Sequence, residues 1–331
     1  MAPSVTDAGA PWVLGVDSGG SGVRFALRRA EPGSPAEVIT SKEPVRTGPG
    51  GIDAGHLLGQ LLPAVEELRV RAGADRIAAV AVGAAGMATL GDELRAELPG
   101  ALARSLGVRT LALAADAVTA YAGALGQRAG AVVAAGTGMI ALGTDLAAWR
   151  RADGWGHLLG DCGSGAWIGR AGLEAALRGH DGRRGGSAAL LDRLTAVFGA
   201  PGDLPGLLYP RSDRPAVLAS FAPEVAGCAE ADPVAAGILR DAARHIVEAA
   251  AAVCPAGTGE EPQVALTGGL FKLGEPLLVP LRRELRRQLP QARTAEAAGD
   301  PLDGSLLIAA GLAGGGLRLP RDPRMLWIAT E

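Results

Sequence analysis

The chain has 331 residues, more than one hydrophobic core usually organises, so two domains are expected. Its formal net charge is −3, no basic block stands alone, and aromatic residues make up only 3%. These values exclude an electrostatic nucleic-acid footprint, an anionic-membrane surface and aromatic stacking platforms, and they leave small molecules as the expected partners.

In chain order, "PWVLGVDSGG" predicts a short apolar strand reaching Asp17, and "VRFALRRA" a second strand, so the pair forms a hairpin with a glycine-rich tip. "HLLGQLLPAVEELRVRAG" has helical apolar spacing. "RIAAVAVGAAGMA" reads as a buried strand, "DELRAELPGALARSLG" as a helix, "TLALAAD" as a strand and "AVTAYAGALG" as a helix. The pattern then restarts: "GAVVAAGTGMIALGTD" is again strand, glycine turn and strand. A helical stretch near 217–252 leads to "QVALTGGLF", a strand ending in paired glycines. Two halves that open alike predict a duplicated α/β architecture with a hinge near Gly126–Gly130, and residues 1–10 read as a flexible tail.

Cys162, Cys228 and Cys254 form neither a CxxC pair nor an even disulfide framework, which fits a reducing compartment. No apolar run reaches about 18 residues and the N-terminus lacks a signal-peptide pattern, so the expectation is a cytoplasmic protein with no membrane and no nucleic-acid partner.

Three glycine turns stand at strand ends: "DSGGSG" at 17–22, "GTG" at 136–138 and "TGG" at 267–269. Such turns let backbone N–H groups approach an anion, and the Ser21 and Thr137 hydroxyls add donors, a set suited to phosphate. Each turn taken singly is also an ordinary tight turn. There is no GxxxxGK[ST] run, and the first turn leads into a strand rather than a helix, so neither common nucleotide fingerprint applies. Read from the residues alone, Asp17 is equally a turn-former before glycine, and Asp116 a helix N-cap.

"LGVDSGGSGVRFAL", "AAGTGMIALG", "GWGHLLGDCGSGAWIG" and "ALTGGLF" together resemble the phosphate-1, phosphate-2, sugar-loop and adenosine motifs of the N-acetylglucosamine kinase branch of the BadF/BadG/BcrA/BcrD ATPase family, within the actin, sugar kinase and Hsp70 superfamily. The resemblance spans about residues 12–315. It implies two duplicated ribonuclease H-like (actin-like ATPase) domains with an interdomain active-site cleft. The N-terminal domain would run over 11–126, completed by a C-terminal helix at about 303–318, and the second over 127–302. It further implies ATP and Mg²⁺, a homodimer, and transfer of the γ-phosphoryl group to the 6-hydroxyl of N-acetylglucosamine. Glucosamine or a related amino sugar is the alternative acceptor. A non-catalytic sugar sensor and an ATPase activator of the same fold are the alternative functions, although the activator's iron–sulfur cluster needs grouped thiolates that these cysteines do not form.

Residue by residue, the resemblance gives Asp116 the role of general base, with sugar contact, and gives Asp17 a metal role. Gly19, Gly20, Ser21, Gly22, Gly136, Thr137, Gly138, Gly268, Gly269 and Leu270 would bind ATP. Thr137, Gly138, Trp155, Gly156 and Asp161 would line the sugar site, and the stretch Phe221–Gly227 would wall the adenine. His157 reads as structural and Asp303 as the cap of the closing helix. The chain departs from the family pattern at Gly22, where relatives carry a cation that Arg24 could replace. It departs also at Gly50 and Gly51 in place of a "GPSN"-like stretch, and at Cys162 in place of glutamate.

Overall fold

The computed structural model describes residues 10–48, 51–256 and 261–329. The expected tail, apart from Ala10, lies outside the described residues, as does Gly50. The chain divides into two units. The first comprises the described residues up to Ala129, Thr144–Trp149 and the chain from Glu296; the second comprises Gly130–Gly143 and Arg150–Ala295.

The first unit opens with strands β1 (Trp12–Gly19), β2 (Gly22–Arg29) and β3 (Glu37–Ser41), then the two-residue strands β4 (Thr47–Gly48) and β5 (Gly51–Ile52). Helix α1 (Ala54–Ala72), strand β6 (Ile77–Ala84), helices α2 (Met87–Leu90) and α3 (Asp92–Leu106), strand β7 (Thr110–Ala115) and helix α4 (Asp116–Leu125) follow. β1 and β2 pair antiparallel with Gly19 opposite Gly22, so Gly20 and Ser21 alone form the tip. β6 and β7 join in parallel.

The second unit repeats this plan. Strands β8 (Gly130–Ala135) and β9 (Met139–Thr144) are joined by the three-residue turn 136–138 and flanked by β10 (Trp149–Asp153). Helices α5 (Gly165–His180), α6 (Ala188–Phe198), α7 (Leu204–Leu208), α8 (Arg214–Ala219), α9 (Ala222–Cys228) and α10 (Pro233–Val253) come next. Strand β11 (Gln263–Thr267), helix α11 (Glu275–Gln288) and strand β12 (Arg293–Ala295) complete the unit. The chain then returns to the first unit through helix α12 (Pro301–Ala313) and strand β13 (Leu326–Ile328), which pairs antiparallel with β7.

The strand orders reveal the duplication. The first sheet runs β13-β7-β6-β1-β2-β3 and the second β12-β11-β8-β9-β10, the same five-strand order with one strand added. In each, a hairpin supplies the central strand, and the next two strands beyond it lie parallel to that strand, as crossovers through helices require.

Some expectations change. The stretch 217–252 is not one helix but parts of three. Pro233 starts α10, and Asp232 caps it by accepting from Val234 and Ala235 N–H, so the chain must break there. The closing helix runs Pro301–Ala313 rather than 303–318. Its N-cap is Asp300, whereas Asp303 answers from the third position with its carboxylate on the Asp300 N–H, a reciprocal capping box. Residues 144–149 group with the first unit instead of falling inside a continuous second domain. Trp149 explains this: it packs edge-on against Tyr121 with ring centroids 5.3 Å apart, and its indole N–H donates to Pro320 O.

Helix α12 is held to the first sheet by buried contacts. The hydroxyl of Ser305, fully buried, donates to Val16 O at 2.9 Å. A Cβ at Gly15 would lie 2.8 Å from the Leu306 side chain, so the missing methyl is what admits the helix.

Candidate active site

In the first unit the chemistry collects at one edge of the sheet. By register Asp17 stands beside Gly83, and Gly83 beside Ala114, so Asp17 and Asp116 leave β1 and β7 at the same carboxyl ends, two strands apart, roughly 10 Å by strand spacing. Open α/β sheets bind ligands at this edge.

Asp17 lies directly opposite Arg24 across the hairpin. The guanidinium donates from both Nε (3.1 Å) and Nη2 (2.6 Å) to the same oxygen, Oδ2, while its Nη1 donates to Asp300 Oδ2 at 2.5 Å. Among the described residues no hydrogen bond is found to Asp17 Oδ1. Burial pushes the Asp17 carboxyl above the usual range, and the Arg24 contacts only partly oppose this. Burial acts on Asp300 too, but there Arg24 and the Asp303 and Leu302 N–H groups prevail and hold it below the usual range. Arg24 is therefore engaged by two carboxylates, Asp17 and Asp300. Gly22 itself has no room for a side chain: its φ is +141° and a Cβ would meet Ser41 O at 2.1 Å. Gly51 is alike, with φ +109° and Leu90 O at 2.3 Å. By contrast a Cβ on Gly19 or Gly20 would meet nothing, so the turn is open at its tip.

Asp116 is the first residue of α4 rather than its N-cap; Ala115 holds the cap position and makes no side-chain cap bond. The Asp116 side chain is exposed, and its Oδ1 accepts from Ala117 N–H at 2.9 Å. The helix behind it is fixed: Thr119, fully buried, donates to Asp116 O and fills the space over Gly83. The carboxylate thus stands exposed in the first turn of α4, where the helix dipole favours negative charge.

In the second unit three segments converge. Gly136 N–H donates to Gly138 O, closing the β8–β9 turn. Gly268, with φ +106°, sits so near Ala135 O that a Cβ would approach to 2.2 Å, so the "TGG" and "GTG" turns abut at the carboxyl ends of the parallel strands β11 and β8. The start of α5, which follows the loop 154–163, joins them: Gly165 N–H donates to Gly136 O and Ala166 N–H to Thr137 O. Gly136 and Gly269 border open space. Leu270 differs from expectation: its side chain is buried in the core, so it offers no side chain to a nucleotide. Phe221 is likewise fully buried, tilted against Phe198, and does not present its ring as a wall.

The loop 154–163 is organised by two aspartates. Asp153, which sequence reasoning passed over, accepts from Asp161 N–H (2.6 Å) and Cys162 N–H (2.9 Å). Asp161, 8% exposed, accepts from Gly156 N–H through Oδ1, and from Met139 N–H. Its Oδ2 lies where a Cβ on Gly138 would come within 2.6 Å, so glycine there leaves space for the carboxylate. Burial pushes Asp161 above the usual range, Asp153 adds to this, and the two N–H donors and His157 only partly offset it. Both aspartates adopt positive φ, 59° and 54°, a conformation that Asp tolerates better than most residues. Trp155 is 65% exposed and lies under the Arg151 guanidinium at 4.4 Å. Arg151 also donates to Asp153 O and Gly154 O, so it braces the loop entry. Cys162 is half-buried, and burial raises its thiol pKa, which keeps it neutral.

No cluster of three or more His, Cys, Asp or Glu side chains able to hold a metal is found among the described residues. This is compatible with Mg²⁺, which takes one or two carboxylates and fills its remaining positions with water and substrate phosphate.

Residues 14–309 match the BadF/BadG/BcrA/BcrD ATPase family. The chain belongs to that family. A Clostridium acetobutylicum protein named N-acetylmuramic acid/N-acetylglucosamine kinase is 28% identical over 314 residues, covering 90% of this chain and 98% of its own. A Chromobacterium violaceum structure assigned as an N-acetylglucosamine kinase is also 28% identical, with a TM-score of 0.68 over 90% of this chain and 98% of that one. A ROK family glucokinase from Streptomyces griseus, solved with glucose and AMPPNP, shares the fold at 22% identity and a TM-score of 0.55, covering 92% of this chain and all of that one. The duplicated sheet is thus the paired ribonuclease H-like fold of the actin-like sugar kinases. No described helix is long and apolar enough to cross a membrane.

Proposed function

We propose that this family member is an ATP-dependent amino-sugar kinase that transfers the γ-phosphoryl group to the 6-hydroxyl of N-acetylglucosamine. The observation that carries the reading is the placement of Asp116: an exposed carboxylate on a rigid helix start, at the same sheet edge as the Asp17 phosphate hairpin. The kinase names of the relatives at 28% identity support the reaction class.

In this reading Asp116 accepts the proton of the sugar hydroxyl as it attacks phosphorus. Gly19, Gly20 and Ser21, together with Gly136, Thr137, Gly138, Gly268 and Gly269, offer backbone N–H and hydroxyl donors to the nucleotide. Asp17, through Oδ1, would take part in holding Mg²⁺, by way of water. The metal, when bound, neutralises charge on the transferring phosphate. Asp161, Trp155 and Gly156 shape the sugar pocket, with Asp161 anchored to the loop it serves. Phosphoryl transfer asks mainly for positioning and charge, which is what these groups supply.

Release of ADP measured with N-acetylglucosamine, N-acetylmuramic acid, glucosamine, N-acetylmannosamine and glucose tests the proposal. Turnover highest with N-acetylglucosamine is expected. Turnover highest with glucosamine would transfer the reading to the free amine, for which the neutral Cys162 thiol in a carboxylate's place gives reason. Sugar binding with no ADP release from any of them would overturn the kinase and leave a sensor.

A further inference from the structure

Asp300 lies far from the phosphate hairpin in sequence yet meets it in space, and its two carboxylate oxygens have separate duties. Oδ1 caps α12 by accepting from Leu302 N–H (2.8 Å) and Asp303 N–H (3.2 Å). Oδ2 accepts from Arg24 Nη1 at 2.5 Å. A cap needs only the first, and asparagine or serine would provide it equally well.

The second contact changes the charge of the hairpin. Arg24 alone against Asp17 would be a neutral pair, free to close as a two-point fork on both carboxylate oxygens. With Asp300 present the group is one guanidinium between two carboxylates, net −1, and both Nε and Nη2 of Arg24 fall on Asp17 Oδ2. The three side chains are partly buried at 17%, 33% and 48% exposure for Asp17, Arg24 and Asp300, so solvent only partly screens them. The position of Asp300 is not adjustable, because Ser305 ties α12 to Val16 of β1, one residue before Asp17.

We propose that Asp300 is a positioning residue for the metal–nucleotide site: through Arg24 it keeps Asp17 Oδ1 open and the hairpin net negative, so that a hydrated divalent cation is attracted rather than displaced. The inference rests on the kinase reading of Asp17. Its chemistry belongs to this chain's own residues, and the loss of Asp300 is felt at Asp17 without Asp300 touching the nucleotide.

The test is calorimetric binding of ADP with and without Mn²⁺ to the full-length protein and to Asp300→Asn, with Asp300→Ser as the second variant. Both variants keep a capping oxygen and remove the negative charge. The expected result is an affinity for Mn²⁺·ADP lower by about tenfold, the size of one near-surface charge contact. Affinity for metal-free ADP and KM for the sugar stay within about twofold and Tm within about 2 °C, while KM for Mg²⁺ rises in step with the binding loss. Unchanged Mn²⁺·ADP affinity in both variants would reduce Asp300 to a helix cap and overturn the proposal. So would a large fall in Tm with equal loss of every ligand. Failure of the unaltered protein to bind Mn²⁺·ADP would bring down the kinase reading as well, so the two failures are told apart by the wild-type arm.

Discussion

The two units build the same five-strand sheet and use their aspartates in opposite ways. In the first, Asp17 and Asp116 stand at strand ends, with Asp116 exposed and Asp17 partly balanced by Arg24. In the second, Asp153 and Asp161 are turned inward and accept from the backbone of the loop they organise. Duplication therefore fixes where a loop departs from the sheet, and the side chains decide whether a carboxylate there stays exposed or is turned inward as scaffolding.

The largest effect should come from the first unit. Asp116→Asn keeps size and hydrogen bonding but cannot take a proton, so turnover should fall by about 10³-fold with Tm nearly unchanged. Steady-state kinetics and calorimetry on the same sample check this, and near-normal turnover would dissolve the distinction between the units.

Next in size is the scaffold role of the second. Asp153→Ala leaves the Asp161 and Cys162 N–H groups without their acceptor and should cost about 1–3 kcal/mol in denaturant unfolding. KM for the sugar should rise more than kcat falls. If kcat alone collapsed, Asp153 would join the chemistry and the contrast would break.

The smallest effect concerns Asp161. Its carboxyl is raised in the folded protein, so the folded state resists ionising it. As pH rises from the ordinary carboxylate pKa, about 4, through the raised value, the unfolded chain has already released this proton and the folded one has not, so stability contributed by Asp161 declines. Asp161→Asn removes that decline. The variant should therefore gain Tm relative to the unaltered protein as pH rises above about 4, and a pH-independent difference would show that Asp161 is fully compensated by its loop.

Much of this was legible in the sequence because it depends on neighbours in the chain. Glycines between apolar strands gave both hairpins, and "TLALAAD" followed by small residues placed Asp116 at a strand-to-helix junction. The helix break before Pro233 was also written locally, in the Asp232–Pro233 pair, though the periodicity of the flanking segments masked it. What escaped depends on packing. Whether Gly22 lost a cation or lacked space is decided by Ser41 on the next strand. Whether Leu270 faces a ligand or the core is decided by the second unit's helices. The role of Asp153 rests on acceptance from residues eight and nine positions on, which no local pattern signals. The Arg24–Asp300 contact crosses 276 positions, and no local pattern signals it.

Helix α12 gives the first unit an order of assembly. During synthesis the hairpin carrying Asp17 leaves the ribosome long before Ser305, Leu306 and Asp300 exist, and for that interval Gly15 faces no helix and Arg24 has a single carboxylate. Contacts of such sequence separation form late. The β1–β2 hairpin therefore acquires its final charge and its backing only when the last part of the first unit arrives, after the whole second unit has been made. A nascent chain is thus kept from completing this edge of the first sheet until nearly all of it has been translated.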